Sequence, residues 1–294
     1  MAKPFLKWAG GKSQLLPVIT ANLPREFSTY IEPFAGSGAA MFEIVSTRIG
    51  LKRVIINDIN ADLTNTYLNI KEHCDEMIPI LSALQDEYCS AAPETRDNLF
   101  YTLRKEYNNR VSSPVRMSCL FIFLNRTCFN GLYRVNAHNQ FNVPHGKYKS
   151  PRICDTQNLR AVSSALKGVD VFNGDYDNLR QYISPGTFVY LDPPYKPISE
   201  TSSFNSYSSV KFDDKEQERL KVFCDFINEQ GAFFMLSNSD PRSIDPNNTF
   251  FDDLYKDYCI QRVPAKRLIN ANASGRGEVN ELLITNYQNE ALFF

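Results

Sequence analysis

Hydrophobic positions along the chain switch between short continuous runs and wider helical spacing. Val54, Ile55 and Ile56 form an uninterrupted apolar run that ends at the carboxylate of Asp58, the pattern of a strand buried on both faces. TYIEPF, Thr29 to Phe34, reads as another strand, and the small residues of AGSG behind it lead into an apolar stretch long enough for a helix. Four later runs predict further strands: VDVFN from Val169, TFVYLD from Thr187, AFFMLSN from Ala232 and ELLITNY from Glu281. Gln157 to Leu166 and Asp214 to Asn228 carry helical spacing between them. The alternation predicts an α/β fold, a mostly parallel open sheet layered with helices.

From Ala61 to Leu124 the pattern becomes helical throughout, with Met77, Leu81, Leu84 and Tyr88 on one face and Leu99, Leu103 and Tyr107 on another. Asn125 to Pro151 has little periodicity, many Asn, Gly and Pro residues, and interleaved aromatics, which predicts a long loop region. The expected organisation is therefore a sheet domain made of residues 1–60 and 152–294, interrupted by a helical insertion at 61–151.

Composition narrows the class. At 294 residues with 43% hydrophobic and 13% aromatic side chains, the chain can bury a sizeable core. No apolar run approaches the roughly 18 residues of a membrane span. The N-terminal MAKPFLKWAGGK has no apolar stretch followed by a small-residue cleavage site, so a cytoplasmic protein is expected. Seven cysteines, an odd number without a CxxC pair, read as reduced thiols rather than disulfides or a zinc centre, and no metal is expected.

Net charge is -1, which by itself argues against a polyanionic partner. Its distribution argues otherwise. Arg104 to Arg152 holds nine basic residues and one acid, Glu106, for a local +8. The first 25 residues add Lys3, Lys7, Lys12 and Arg25, and Tyr258 to Gly277 adds Arg262, Lys266, Arg267 and Arg276, neither with an acid. Three basic stretches converging on nucleic acid is the reading set against charge spread for solubility.

GTFVYLDPPY runs a buried strand straight into Asp192, Pro193, Pro194 and Tyr195. In an open parallel sheet the carboxyl ends of strands line the ligand crevice, and two prolines stiffen the turn that carries the acid and the aromatic ring. Asp192 and the Pro193 carbonyl can accept hydrogens from an exocyclic amino group while Tyr195 stacks on a planar base. Such acceptors favour the pyramidal, more nucleophilic form of an otherwise poor amine. EPFAGSG, Glu32 to Gly38, places a glycine turn after a strand where backbone can approach a nucleoside cofactor, but Met41 breaks the dinucleotide fingerprint GxGxxG. Asp58 suits ribose hydroxyls or a helix cap. KWAGGKSQLLP fails as a phosphate-binding loop, because Leu6 stands where its first glycine belongs. Trp8 fits beside a cofactor or in the core. His138 and His145 read as polar loop residues or neighbours of phosphate, His73 as surface, and Ser206 to Ser209 as a loop near DNA.

Taken together, KWAGGKSQLLP, EPFAGSG, NDIN, NRTCFNGLYRVN, FNVPHGKYKSP, DPPY, MLSNS and ASGRGEVNELLITNY resemble the Dam-type adenine methyltransferases over nearly the whole chain. FNGLYRVN to FNVPHGKYK looks most like the modification methylases of GATC restriction systems. The resemblance implies a Rossmann-like catalytic sheet with an inserted DNA-recognition domain, and S-adenosyl-L-methionine (AdoMet) as methyl donor. It further implies transfer to N6 of a flipped-out adenine, in GATC within duplex DNA, by a monomeric bacterial or phage enzyme.

Matched motif by motif, it places Trp8, Lys12, Phe34, Ala35, Gly36, Ser37, Gly38, Asp58, Asp175, Tyr176 and Asp192 around the cofactor. Asp192, Pro193, Pro194 and Tyr195 hold the adenine. Phe129 and Asn130 form a wedge in the base stack, Leu132, Arg134, Pro144 and Tyr148 contact bases or backbone, and Arg126, Lys147 and Lys149 complete the DNA surface. Phe129 replaces a tyrosine of some relatives and so lacks its hydroxyl. A catalytically inactive DNA-binding protein, or a methyltransferase acting on RNA or protein glutamine, are the alternatives. DPPY with an intact EPFAGSG weighs against the first, and the +8 segment with FNGLYR against the second.

Overall fold

Strand β1 (Thr29–Glu32) pairs in parallel on both sides, and its Tyr30 and Ile31 are fully buried, which is why its sequence shows a run rather than an alternation. The computed structural model describes residues 1–8, 12, 15–195, 212–266 and 278–288. The other strands are β2 (Arg53–Asp58), β3 (Val169–Asn173), β4 (Thr187–Leu191), β5 (Phe233–Ser239), β6 (Cys259–Lys266) and β7 (Glu278–Thr285). Among the described residues these seven strands form one sheet in the order β3-β2-β1-β4-β5-β7-β6. β1 to β5 are mutually parallel, and β7 runs antiparallel to both β5 and β6. The chain turns to opposite sides of β1 to reach β2 and β4, which opens a crevice at the carboxyl ends of these strands.

Side chains alternate between two cores. Tyr30, Val54, Ile56 and Tyr190 point into one, with α2 (Ala39–Thr47), α6 (Thr156–Leu166) and the long helix α3 (Ala61–Ser90). Ile31, Ile55, Val189 and Leu191 point into the other, against Leu220, Phe223 and Ile227 of α7 (Asp214–Glu229). α1 (Leu16–Ala21) and α8 (Phe250–Leu254) are short. Helix α3 starts at the Asn60 cap, whose side chain accepts from Leu63 N at 3.1 Å, and leaves helical geometry at His73, ahead of Pro79. Its first half packs on the sheet through Leu63, Tyr67 and Ile70. Its second half packs through Met77, Leu81, Leu84 and Tyr88 against α4 (Pro93–Asn109) and α5 (Pro114–Thr127). The helical insertion thus shares one continuous core with the sheet. No helix among the described residues is long and apolar enough to cross a membrane.

Two sequence expectations need correction. Strand β6 lies inside the stretch read as basic, and its Arg262 pairs with Asp240 and Asp252 within the fold instead of facing a polyanion. The +8 of Arg104 to Arg152 is reduced only where Arg110 and Arg152 meet acids outside the segment, since Glu106 is already in the sum. Arg110 pairs with Asp62, Arg116 with Glu106 and Arg152 with Asp155, while Arg104 donates to the Val143 carbonyl. Arg267 and Arg276 lie outside the described residues, as do Ser206 to Ser209. All seven cysteines are free thiols, and burial pushes those of Cys119 and Cys128 up to about 12, leaving them unreactive.

Candidate active site

Asp192 emerges directly from β4, and neighbouring elements supply its surroundings. Lys12 Nζ lies 2.8 Å from Asp192 Oδ1, with side-chain exposures of 6% and 20% for the two residues, so the ion pair is sheltered but the carboxylate still reaches the crevice. Ser237 of β5 donates to the same Oδ1 at 3.1 Å, and its oxygen lies 3.2 Å from Tyr190 Oη. Burial pushes the Asp192 carboxyl above the usual aspartate range, opposed by Lys12 and Ser237.

Tyr195 closes the turn. Its hydroxyl donates to Glu281 Oε2 at 2.7 Å, and Lys12 Nζ sits 4.2 Å from its ring centroid. Because β7 is antiparallel, Glu281 enters the sheet at the edge where β5 leaves it, opposite Ser239. Gln217 of α7 donates to the Pro194 carbonyl at 3.4 Å and supports the turn from behind.

The Phe34–Gly38 turn occupies the neighbouring strand end. Gly36 N donates to Asp58 Oδ2 at 3.0 Å and Asn60 N to Asp58 Oδ1 at 2.9 Å, so the carboxylate that terminates β2 fixes the turn that follows β1. The helix cap is Asn60, not Asp58. Gly36 and Gly38 both have positive φ, 47° and 72°; a Cβ on Gly36 would meet the Trp8 ring at 3.1 Å, and one on Gly38 would meet Tyr67 Oη at 2.6 Å. Only glycine fits this cradle. Trp8 stacks on Tyr133 at 5.7 Å, Phe34 packs against Tyr176 at 5.2 Å, and the buried Tyr176 hydroxyl has no hydrogen-bond partner among the described residues. Carboxylates at the ends of β2 and β4 (Asp58 and Asp192) beside the glycine turn and aromatic rings suit a cationic nucleoside. These residues therefore fit the sulfonium cofactor that the sequence implies.

Asp175 reaches the same edge after β3, but both its oxygens are held by Arg219, at 2.7 and 2.8 Å, which lowers its carboxyl below the usual range. Arg126 differs from its expected place on a DNA surface. Its Nε and Nη2 both donate to the Phe5 carbonyl, at 3.1 and 2.7 Å, and Asn125 exchanges hydrogen bonds with both backbone groups of Lys7. The pair ties the end of α5 to the segment that carries Trp8.

The remaining residues expected at DNA lie in the segment that follows α5. Phe129 is 51% exposed on a short turn with Asn130 at φ 54°; Asn130, Arg134, Pro144, Lys147 and Lys149 are exposed, and Leu132 and Tyr148 half-buried. Lys7 Nζ covers the Tyr148 ring at 4.4 Å.

Sequence reasoning missed Ser237, Glu281, Gln217 and Glu32 as site residues. A usable signal existed for the first, since the polar ending SNS of an otherwise apolar strand is buried beside β4. Glu32 is 3% exposed, accepts from Tyr30 Oη at 2.8 Å, and is pushed up to about 8 by burial, with Asp192 and Asp58 adding repulsion. Between the ordinary glutamate value and about 8 the native state holds a proton that the unfolded chain has lost, so stability falls as pH rises through that window. Glu32→Gln should remove this loss, on the order of a few kcal/mol at its alkaline end. Melting curves at acidic and alkaline pH check it; equal pH dependence of wild type and variant would exclude Glu32 as the source.

The D12 class N6 adenine-specific DNA methyltransferase family matches residues 8–269. The chain is 45% identical over 293 residues to the Type II methyltransferase M.MjaIII of Methanocaldococcus jannaschii, covering 97% of this chain and 99% of that one. It is 36% identical to the Type II methyltransferase M1.LlaDCHI of Lactococcus lactis subsp. cremoris, covering 98% and 96%. The DNA adenine methylase of Escherichia coli K12 is 31% identical, with 96% and 94% covered. A family match that spans both the glycine turn and the DPPY turn, with relatives aligned over nearly their full lengths, places this chain in the D12 class of N6 adenine-specific DNA methyltransferases.

Proposed function

We propose that this DNA adenine methyltransferase acts on the adenine of GATC in duplex DNA, and reaches it by turning the base out of the stack. AdoMet, when bound, supplies a methyl group already activated by a positively charged sulfur. Trp8, Lys12, the Phe34–Gly38 turn, Asp58, Asp175 and Tyr176 hold it at the strand ends, and Asp192 to Tyr195 hold the adenine. Among the described residues Lys12 and Ser237 both meet Asp192 at Oδ1, so Oδ2 serves as the acceptor for one amino hydrogen while the Pro193 carbonyl takes the other. Transfer would form the nitrogen–carbon bond as the carbon–sulfur bond breaks; as the nitrogen becomes positive these acceptors would strengthen their hold, and its extra proton would leave through the Asp192 carboxylate to solvent. Tyr195, with its hydroxyl fixed by Glu281, stacks on the ring.

The observation that carries this reading is the sheltered Lys12–Asp192–Ser237 cluster at the end of β4, beside a glycine turn that admits a nucleoside. The recognition segment, residues 61–151, presents Phe129 and Asn130 as a wedge, with Leu132, Arg134, Pro144 and Tyr148 reading bases and Lys147 and Lys149 on phosphates. The names of the Type II relatives support a role in restriction-modification, and the chain is read as a cytoplasmic monomer.

Labelled methyl transfer to a GATC duplex beside an otherwise identical GTTC duplex tests the specificity: label confined to GATC is expected, and equal label on both would overturn it. A base inside a duplex must unpair at a cost of a few kcal/mol, which a mismatch lowers. A GATC site with the adenine mispaired should therefore bind more tightly than the paired site in the presence of an AdoMet analogue. Equal or weaker binding would count against base flipping.

A further inference from the structure

His145 belongs to the loop of residues 144–149, yet its side chain is turned inward and the residue is only 7% exposed. Its Nε2 is 2.6 Å from Tyr88 Oη of α3, its Nδ1 is 3.0 Å from Asp97 Oδ1 of α4, and its ring stacks on Phe100 with centroids 4.9 Å apart. Tyr88 Oη in turn donates to the Tyr148 carbonyl at 3.0 Å. The loop is close-packed there. Phe129 N donates to Pro144 O, Gly146 N donates to Thr127 O, and a Cβ on Gly146 would stand 2.6 Å from the Cys128 carbonyl.

Counting hydrogens decides the protonation state that completes this chain. The Tyr148 carbonyl can only accept, so it takes the single hydrogen of Tyr88. His145 Nε2 must then donate to Tyr88 Oη, and the Asp97 carboxylate, also an acceptor, requires a second hydrogen from Nδ1. Both ring nitrogens donate only in the imidazolium. A neutral ring loses one bond. With its hydrogen on Nδ1, Tyr88 must turn to Nε2 and release Tyr148; with its hydrogen on Nε2, a lone pair faces Asp97.

We propose that Asp97, His145 and Tyr88 form a proton-dependent positioning device for the recognition loop, complete only with His145 protonated, so that DNA affinity weakens as the ring loses its proton at rising pH. The inference rests on the reading that residues 144–149 meet DNA. Asp97 is the carboxylate in bonding reach of the ring. Other titratable groups on the surrounding elements include Asp86, Glu87, Tyr88 and Cys89 of α3, Glu94, Arg96, Tyr101, Arg104 and Lys105 of α4, Cys128 at the end of α5, and Lys147, Tyr148 and Lys149 of the loop.

Binding of a labelled GATC duplex, measured from about pH 5.5 to about pH 8.5 at constant ionic strength, tests it. Wild-type affinity should fall across this range by about two- to tenfold, the scale of one net hydrogen bond. Asp97→Asn should flatten the profile at the acid-end affinity, because the amide introduced there can donate to Nδ1 of a neutral ring. His145→Phe keeps the stacking on Phe100 but makes neither bond, and should bind more weakly at every pH with no slope. By reciprocity, DNA should raise the proton affinity of His145, read from its ring-proton NMR signal after His73→Gln and His138→Gln remove the other two histidines. A wild-type slope in Asp97→Asn, or a His145 titration indifferent to DNA, would overturn the device. Lys147→Ala separates the two readings. Unchanged affinity and salt slope in that variant would remove the loop from the DNA and the proposal with it, whereas a normal loss there beside a persistent slope in Asp97→Asn would overturn the proton device alone.

Discussion

Asp192→Ala is expected to lower kcat by about three orders of magnitude, roughly 4 kcal/mol of barrier, the scale of removing one preorganised electrostatic partner from a sheltered site. The carboxylate matters most as positive charge develops on the attacking nitrogen, so KM for DNA should change little by comparison. The alanine variant also leaves the Lys12 ammonium, 6% exposed, without its acid, and a lowered melting temperature would accompany the loss. Asp192→Asn separates the two effects. It preserves shape and one acceptor, but either orientation of the amide turns a donor toward Lys12 or toward the adenine amino group. Its kcat should still fall at least about a hundredfold with a melting temperature near that of wild type. Activity within tenfold of wild type for the asparagine variant would exclude Asp192 from the chemistry. In the wild type, kcat should fail on acidification above the ordinary aspartate range, because burial raises this carboxyl and catalysis needs it ionised.

Arg134→Ala should lower kcat/KM on GATC by about ten- to a hundredfold, while a site altered at the contacted guanine loses little, so the preference between the two collapses. The geometry supports base reading over an internal role. Arg134 is exposed, and its side-chain partner is the amide of Asn142, whose Oδ1 accepts from Nε at 2.7 Å. That bond orients the guanidinium plane and leaves its terminal amino groups as a fork of the shape that guanine O6 and N7 would accept. Lys147→Ala should behave differently, weakening all sequences alike and reducing the salt slope by about one. Measuring both variants on GATC and on single-base variants, with a melting curve for each, distinguishes the roles. An unchanged preference in Arg134→Ala would sink the assignment.

The strands buried on both faces were legible because parallel pairing leaves a continuous apolar signature, as in Val54 to Ile56 and Phe188 to Leu191. β6 was not, because Arg262, Pro264 and Lys266 interrupt its hydrophobicity and it sits at the edge of the sheet, next to β7 alone. The charge count misled for a related reason. A local sum cannot show that Arg110 meets Asp62 from 48 residues away, or that Arg126 is absorbed by a backbone carbonyl. The DPPY turn announced itself through its strand and its prolines. Its partners Ser237 and Glu281 lie 45 and 86 residues from the residues they hold, and only the sheet order brings them there. His145, read as a polar loop residue, is buried because α3 and α4 close over it, which no local pattern encodes.

Helix α3 carries one consequence for how proteins of this shape acquire new target sequences. It packs on the sheet and α6 on one side and on α4 and α5 on the other, with Asp62 bonded to Tyr107 and Arg110 and Asn69 to Ser118, so no seam exists at which the insertion could be detached. The chain should melt as one cooperative unit, and an excised 61–151 fragment should expose the sheet-facing side of Leu63, Tyr67 and Ile70 and aggregate. Transplanting the helices between relatives would carry half of a foreign core with them. Diversification by point changes is open instead in the segment after α5, where Phe129, Arg134, Pro144 and Lys147 face outward and a substitution disturbs little of the packing beneath.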